Sequence, residues 1–254
     1  EEKNAEITDS IIYAKRIQAA ILPPDKLIKK HLKESFVIYI PKDIVAGDFY
    51  WLEQKDDIIL FAAADCTGHG VPGAMVSVIC NNGLNRSVRE HGLISPGEIL
   101  DKTREIVIGE FEKSDEEVKD GMDIAICTIP KKGKKIEYAG ANNPFWLIRD
   151  GEIIETRGDR QPVGIYGDNL ETPYTNHEIE VKGGDSVYIF SDGYQDQFGG
   201  PNGKKFMISR FKKLLLEIQN QDMSAQKESI LQAFNDWKGK EEQVDDVCVI
   251  GVRI

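Results

Sequence analysis

The sequence predicts an α+β domain whose sheets are covered by helices, and three observations carry that prediction. From Phe36 on, three short apolar strands follow one another before the next long helix, a second run of strands fills the middle of the chain, and βαβ alternation is missing. The chain has 254 residues, of which 41% are hydrophobic, enough to bury a sizeable core in one large domain or two small ones.

Residues 6–22, EITDSIIYAKRIQAAIL, put Ile7, Ile11, Ala14 and Ile21 at heptad-like spacing with Ile17 and Ala20 beside them, and Pro23-Pro24 ends the helix. It reads first as an amphipathic helix packed on its own domain. The second reading is a helix that dimerises the chain or relays a signal, although barely two heptads are present. FVIYI (36–40), DIVAGDFYWLE (43–53) and DIILFAAAD (57–65) read as strands. Helices are expected over 71–90 and 96–118, the second opened by Ser95 as N-cap and Pro96 in the first turn.

DIAICTIP, KIEYAGA, FWLIRDGEIIET, HEIEV and DSVYIFSD then follow, separated by KKG, NNP, RDG and KGG, which reads as an antiparallel meander. Helices over 204–220 and 224–237 precede a last strand, DDVCVIGVRI. No internal repeat or low-complexity segment interrupts the pattern.

A formal charge of -11 disfavours a nucleic-acid partner, because neutralising a phosphate backbone takes clustered Lys and Arg. No window approaches the roughly 18 apolar residues of a membrane span, and no signal-peptide pattern opens the chain, so the piece reads as soluble and cytoplasmic. Cys66, Cys80, Cys127 and Cys248 show neither zinc nor disulfide spacing, which fits a reducing compartment. The chain starts at Glu1 and enters helical sequence without a cap. An excerpt of a longer chain is therefore expected, with a sensor domain upstream that could carry a membrane anchor.

The chemistry lies in the acids. Asp48 sits in IVAGDFYW, Asp65 ends ILFAAAD, Asp192 ends VYIFSD, and Asp245-Asp246 open VCVIGV. Each falls in or at the end of an apolar strand with no adjacent Lys or Arg. Taken singly, SDG and VDD are ordinary turns and GDF is a bulge. Taken together, acids brought into one cleft would be desolvated side by side, which is unfavourable without compensating cations. Oxygen donors of this kind suit Mg²⁺ or Mn²⁺ rather than zinc. Gly68, Gly70 and Gly73 would let the backbone turn sharply after Asp65 and leave room near a metal.

His69 in that loop reads as a turn residue or hydrogen-bond donor ahead of a general acid. His31, His91 and His177 form no ligand cluster. No GxSxG nucleophile, P-loop or dinucleotide fingerprint occurs.

In order, VAGDFYW, ADCTGHG, GMDIAICTI, GANNPFWLIRDGE, QPVGI, IFSDGYQD and DDVCVI resemble the metal-dependent Ser/Thr phosphatases related to protein phosphatase 2C, and within them the bacterial SpoIIE/RsbU-type branch. The likeness runs from about Phe36 to the C-terminus, and ITDSIIYAKRIQAAILPP is similar to the helix that often precedes this domain. It implies a regulatory or linker helix over 1–24 and a phosphatase domain over 25–254, built as an αββα sandwich around two Mn²⁺ or Mg²⁺ ions.

Carried over by motif, Asp48 and Asp65 would be metal ligands, with Asp65 between the ions, and the Cys66 carbonyl would serve one of them. Asp192 and one acid of the final pair would bind the other, with Asp245 favoured and Asp246 the fallback. Asp123 reads as a surface acid at a strand start, with a third metal site as the alternative. The typical eukaryotic relatives have a histidine two residues after the bridging acid, whereas His69 lies four after Asp65, and no arginine stands where they bind phosphate.

The implied reaction is direct hydrolysis of phosphoserine or phosphothreonine by a metal-activated water. The implied substrate is a small phosphorylated regulatory protein of the anti-sigma-factor-antagonist type. The alternatives are a non-catalytic phosphoprotein-binding domain of the same fold and a metal-dependent phosphodiesterase.

Overall fold

The computed structural model describes residues 2–113, 120–131, 133–165 and 172–254. The chain opens with α1 (Glu2–Ile21), α2 (Asp25–His31), β1 (Ser35–Ile40), β2 (Phe49–Lys55), β3 (Ile58–Cys66), α3 (Gly70–Arg89) and α4 (Pro96–Phe111). The middle holds β4 (Gly121–Pro130), β5 (Lys135–Ala141), β6 (Phe145–Arg149), β7 (Glu152–Thr156), β8 (Val163–Gly164), β9 (His177–Glu180) and β10 (Ser186–Phe190). The last part comprises α5 (Gly193–Asp196), β11 (Phe198–Gly199), β12 (Lys204–Lys205), α6 (Ile208–Ile218), α7 (Met223–Lys238) and β13 (Val247–Arg253).

One sheet has the order β2-β3-β4-β5-β9, with β8 on β4, and the other the order β1-β13-β10-β6-β7. Side chains alternate across a strand, so a strand that is apolar throughout needs cover on both faces. β3 shows how that cover is supplied. Leu60, Ala62 and Ala64 face Val76, Cys80 and Leu84 of α3 and Leu100 of α4, while Ile59, Phe61 and Ala63 turn inward against Leu147, Ile189 and Ile250 of the other sheet. On the far side of that second sheet, Trp146, Tyr188 and Phe190 pack on Phe211, Leu215, Ile230 and Phe234 of α6 and α7. The layers are thus α3/α4, sheet, sheet, α6/α7, the expected α+β sandwich.

The strands from β4 to β10 are not a single meander. β4, β5 and β9 belong to one sheet, and β6, β7 and β10 to the other. The chain crosses at Asn142-Asn143-Pro144, where Asn142 adopts φ 60° and the Tyr138 hydroxyl donates to the Asn143 carbonyl at 2.6 Å. Turn residues look alike whether the next strand stays in its sheet or leaves it, so sequence alone does not register the crossing.

Three further boundaries differ from expectation. The strand expected over 43–53 is regular only from Phe49, and residues 41–48 form an irregular loop. The helix expected from 204 begins at Ile208, because Lys204 and Lys205 pair with Phe198 and Gly199 in a short hairpin. α4 ends at Phe111, and residues 114–118 of the expected helix lie outside the described residues. α2 was not anticipated, although its signals are present: Pro24 as N-cap, Asp25 in the first turn and Lys29, Lys30 and His31 in the last, where they complement the helix dipole.

α1 rests on the domain through a narrow stripe of Ile11, Ala14, Gln18 and Ile21. Ile7, Tyr13 and Ile17 remain 59%, 63% and 55% exposed. Among the described residues, no helix is long and apolar enough to cross a membrane.

Candidate metal centre

The two sheets leave an open cleft of about 260 Å³ at one edge of the sandwich, lined by Asp65, Cys66, Thr67, Gly68, His69, Met122, Asp123, Pro162, Asp192 and Asp245. Four parts of the chain supply its acids. Asp65 is the penultimate residue of β3 and lies directly across from Asp123 of β4. Asp192 caps α5 just beyond β10, and Asp245 stands two residues before β13.

Asp48 immediately precedes β2 rather than lying within a strand. It is 1% exposed, sits beneath Asp65, close enough for the two acids to repel, and accepts a 2.5 Å hydrogen bond from the Ser191 hydroxyl.

The loop after β3 depends on glycine at close approaches. A Cβ on Gly47 would stand 2.3 Å from the Gly68 carbonyl oxygen, and one on Gly73 would stand 2.2 Å from the same oxygen. Gly68 itself adopts φ 82°, a conformation that side chains with a Cβ rarely tolerate. The three glycines let the 41–48 loop, the turn after Asp65 and the start of α3 meet with backbone against backbone.

Burial and mutual repulsion dominate the electrostatics. Burial, then Asp192, Asp245 and Asp123, push the Asp65 carboxyl up to about 8. Burial and then Asp65 hold Asp48 well above the usual carboxylate range, against the hydrogen bond from Ser191. Asp192 reaches solvent at the mouth, yet the protein packed around it, followed by Asp196, Asp245 and Asp123, raises it too. Asp123 is raised by burial and partly relieved by Asn142, whose side-chain amide donates to it at 2.7 Å. It lines the cleft and is not the surface acid its position at a strand start implied.

No Lys or Arg among the described residues lines the cleft. Among the described residues, no group of three or more His, Cys, Asp or Glu side chains stands ready as a finished set of metal ligands. The acids instead crowd one another, Asp48 beside Asp65 and Asp65 beside Asp192. Carboxylate pairs that relieve repulsion by holding protons are a donor set that a hard divalent cation can take over by displacing them. Cys66 fits a main-chain role, since its thiol is buried against Cys80.

Asp246 behaves differently. One of its oxygens accepts from the Lys42 N–H at 2.7 Å and the other from the Gly47 N–H at 2.7 Å. Both of its oxygens are committed to backbone amides, whereas Asp245 lines the cleft. His69 is the N-cap residue of α3, with Nδ1 2.7 Å from Asp43 and Nε2 3.1 Å from the Lys42 ammonium. His69 thus lines the cleft with both ring nitrogens engaged. Ser191 and Asn142 went unnoticed in the sequence because SDG and NNP read as turns.

The family model for stage II sporulation protein E (SpoIIE) matches residues 55–254. Among solved structures, the SiaA-PP2C domain of Pseudomonas aeruginosa is similar at 29% identity and a TM-score of 0.89, covering 99% of this chain and 98% of that one. The PP2C phosphatase domain of SpoIIE from Bacillus subtilis, with a fragment of its regulatory domain, aligns at 16% identity and a TM-score of 0.69, over 87% of this chain and 63% of that one. RsbX in complex with magnesium aligns at 16% identity and a TM-score of 0.58, over 87% and 94%. Among curated proteins no sequence matches. With most of its length matched by that model and its two-sheet sandwich shared with these PP2C domains, the chain belongs to the SpoIIE family of PP2C-like phosphatase domains.

Proposed function

We propose that the domain is a metal-dependent protein phosphatase that hydrolyses phosphoserine or phosphothreonine on a regulatory protein. The observation that carries this reading is the gathering of Asp65, Asp192 and Asp245 around one cleft, with Asp48 beneath, from strand ends scattered over the sequence and with no Lys or Arg among the described residues that line it. The acids would hold two Mn²⁺ or Mg²⁺ ions, and magnesium bound to the structurally similar RsbX supports that choice. When bound, such cations supply an activated water and offset charge on the phosphoryl oxygens.

The chain's own residues do the rest. Asp65 and Asp192 would face the cations as carboxylates, Asp245 adds a third carboxylate at the mouth, and the Cys66 main chain adds an oxygen donor. Pro162 and Met122 wall one side of a cleft open enough for a phosphorylated side chain carried on a folded protein. A small regulatory phosphoprotein of the anti-sigma-factor-antagonist type is the partner that the family likeness supports.

α1 supports a finer proposal about control. Its exposed Tyr13 and Ile17, one turn apart on the face turned away from the domain, offer an apolar patch suited to a second copy of the chain. An upstream sensor would then act on the domain through this helix.

The test is phosphate release from phosphoserine and phosphothreonine peptides by the purified domain with Mn²⁺, alongside an aryl phosphate and a cyclic dinucleotide. Release from the peptides that EDTA abolishes is expected. Inactivity on every phosphomonoester, or activity that survives EDTA, overturns the proposal, and cleavage of the cyclic dinucleotide alone identifies a phosphodiesterase.

A further inference from the structure

We infer that Ser191 and Asp246 are positioning residues that orient Asp48 beneath the cleft, and that Asp246 contacts no cation. This rests on the reading of Asp48 as a metal ligand. Asp48 belongs to the irregular loop 41–48, which by itself has nothing to fix the direction of a side chain. Three groups of the opposite sheet fix it. The Ser191 hydroxyl, just beyond β10, donates to Asp48 Oδ2 at 2.5 Å. The same oxygen of Ser191 accepts the Cys248 N–H of β13 at 2.9 Å, which fixes the rotor that makes the donation. The Tyr39 hydroxyl of β1 donates to the Asp48 carbonyl at 3.0 Å.

Asp246 holds the loop from behind. Its carboxylate gathers the N–H groups of Lys42 at 2.7 Å, Gly47 at 2.7 Å and, more weakly, Asp48 at 3.5 Å. The two ends of the loop are thereby tied to one side chain at the foot of β13. Ser191 and Asp246 are 1% and 2% exposed, so neither contact competes with water. Side chains that orient ligands in this way typically cost 10–100-fold in metal affinity when removed.

Mn²⁺ titration calorimetry on wild type, Ser191→Ala, Ser191→Thr, Asp246→Asn and Asp245→Asn tests the inference, with thermal melts of the chelated proteins alongside. Ser191→Ala and Asp246→Asn should bind the wild-type number of Mn²⁺ ions about 10–100-fold more weakly. Ser191→Thr, which keeps the hydroxyl, should bind more tightly than Ser191→Ala, and Asp245→Asn should lose stoichiometry. Wild-type affinity in both Ser191→Ala and Asp246→Asn, or loss of one ion from Asp246→Asn alone, overturns the inference and leaves the functional reading intact. A wild-type protein that binds no Mn²⁺ overturns both. Should Asp246→Asn fail to fold, the Ser191 pair decides.

Discussion

Gln18 of α1 pairs with Ala46 through both ends of its side-chain amide: Nε2 donates to the Ala46 carbonyl at 2.6 Å, and Oε1 accepts from the Ala46 N–H at 3.1 Å. Nε2 also lies 3.0 Å from the Ser77 hydroxyl of α3. One buried glutamine thus joins the N-terminal helix to α3 and to the backbone two residues before Asp48.

Gln18→Ala should loosen α1. Losing buried hydrogen bonds and leaving the Ala46 amide unpaired costs about 1–3 kcal/mol, readable as a lower melting temperature and faster hydrogen exchange at Ala46 and Gly47. Removal of residues 1–24 should change turnover or solution mass. Identical kinetics and mass after the deletion would count against a regulatory role for the helix.

Asp48→Asn and Asp65→Asn should each lower turnover by about 100-fold or more, because a ligand to the cations is lost. Without metal, the same variants should melt higher than wild type, since each removes a buried acid from a crowd of like charges. Phosphate release and chelated melts, measured side by side, separate a catalytic loss from a folding defect.

The pH dependence of the chelated domain follows from Asp65, raised from the ordinary carboxylate range to about 8. The folded state holds this proton more tightly than the unfolded chain does. The resulting stability is complete below about pH 4, the unfolded value, and is lost as pH rises through about 8. In that window the loss approaches about 1.4 kcal/mol per pH unit for one such proton. Metal-free melting temperatures should therefore fall between pH 5 and pH 8, and saturating Mn²⁺ should flatten or reverse the slope because cations bind the deprotonated acids. A flat profile without metal would contradict the raised Asp65 carboxyl.

Gly73→Ala should destabilise the domain by about 1–3 kcal/mol, the usual cost of forcing extra volume into a packed site. The new Cβ would meet the Gly68 carbonyl oxygen at 2.2 Å and the Gly47 Cα at 3.0 Å. Because the displaced backbone lies beside the cleft, Mn²⁺ affinity should fall in parallel. Gly109→Ala, where a Cβ meets nothing within 4 Å, is the control and should melt at or above wild type.

By itself the sequence determined the fold class, most of the elements and the list of acids. Strands such as ILFAAAD and VYIFSD, apolar on both faces, demand cover on both sides, and an acid closing such a strand has no cheap place to go. Only the tertiary structure decided which acids share a cleft and which do other work. Asp245 and Asp246 are neighbours of identical chemistry in one motif, yet the first lines the cleft and the second spends both oxygens on the amides of residues 42 and 47. Asp123 looked like a surface residue until the β3–β4 register set it opposite Asp65. Local sequence carries propensity and turn chemistry, whereas the direction of a carboxylate depends on contacts between residues up to about two hundred positions apart, such as the 199 that separate Gly47 from Asp246. Those contacts exist only once the two sheets have closed on each other.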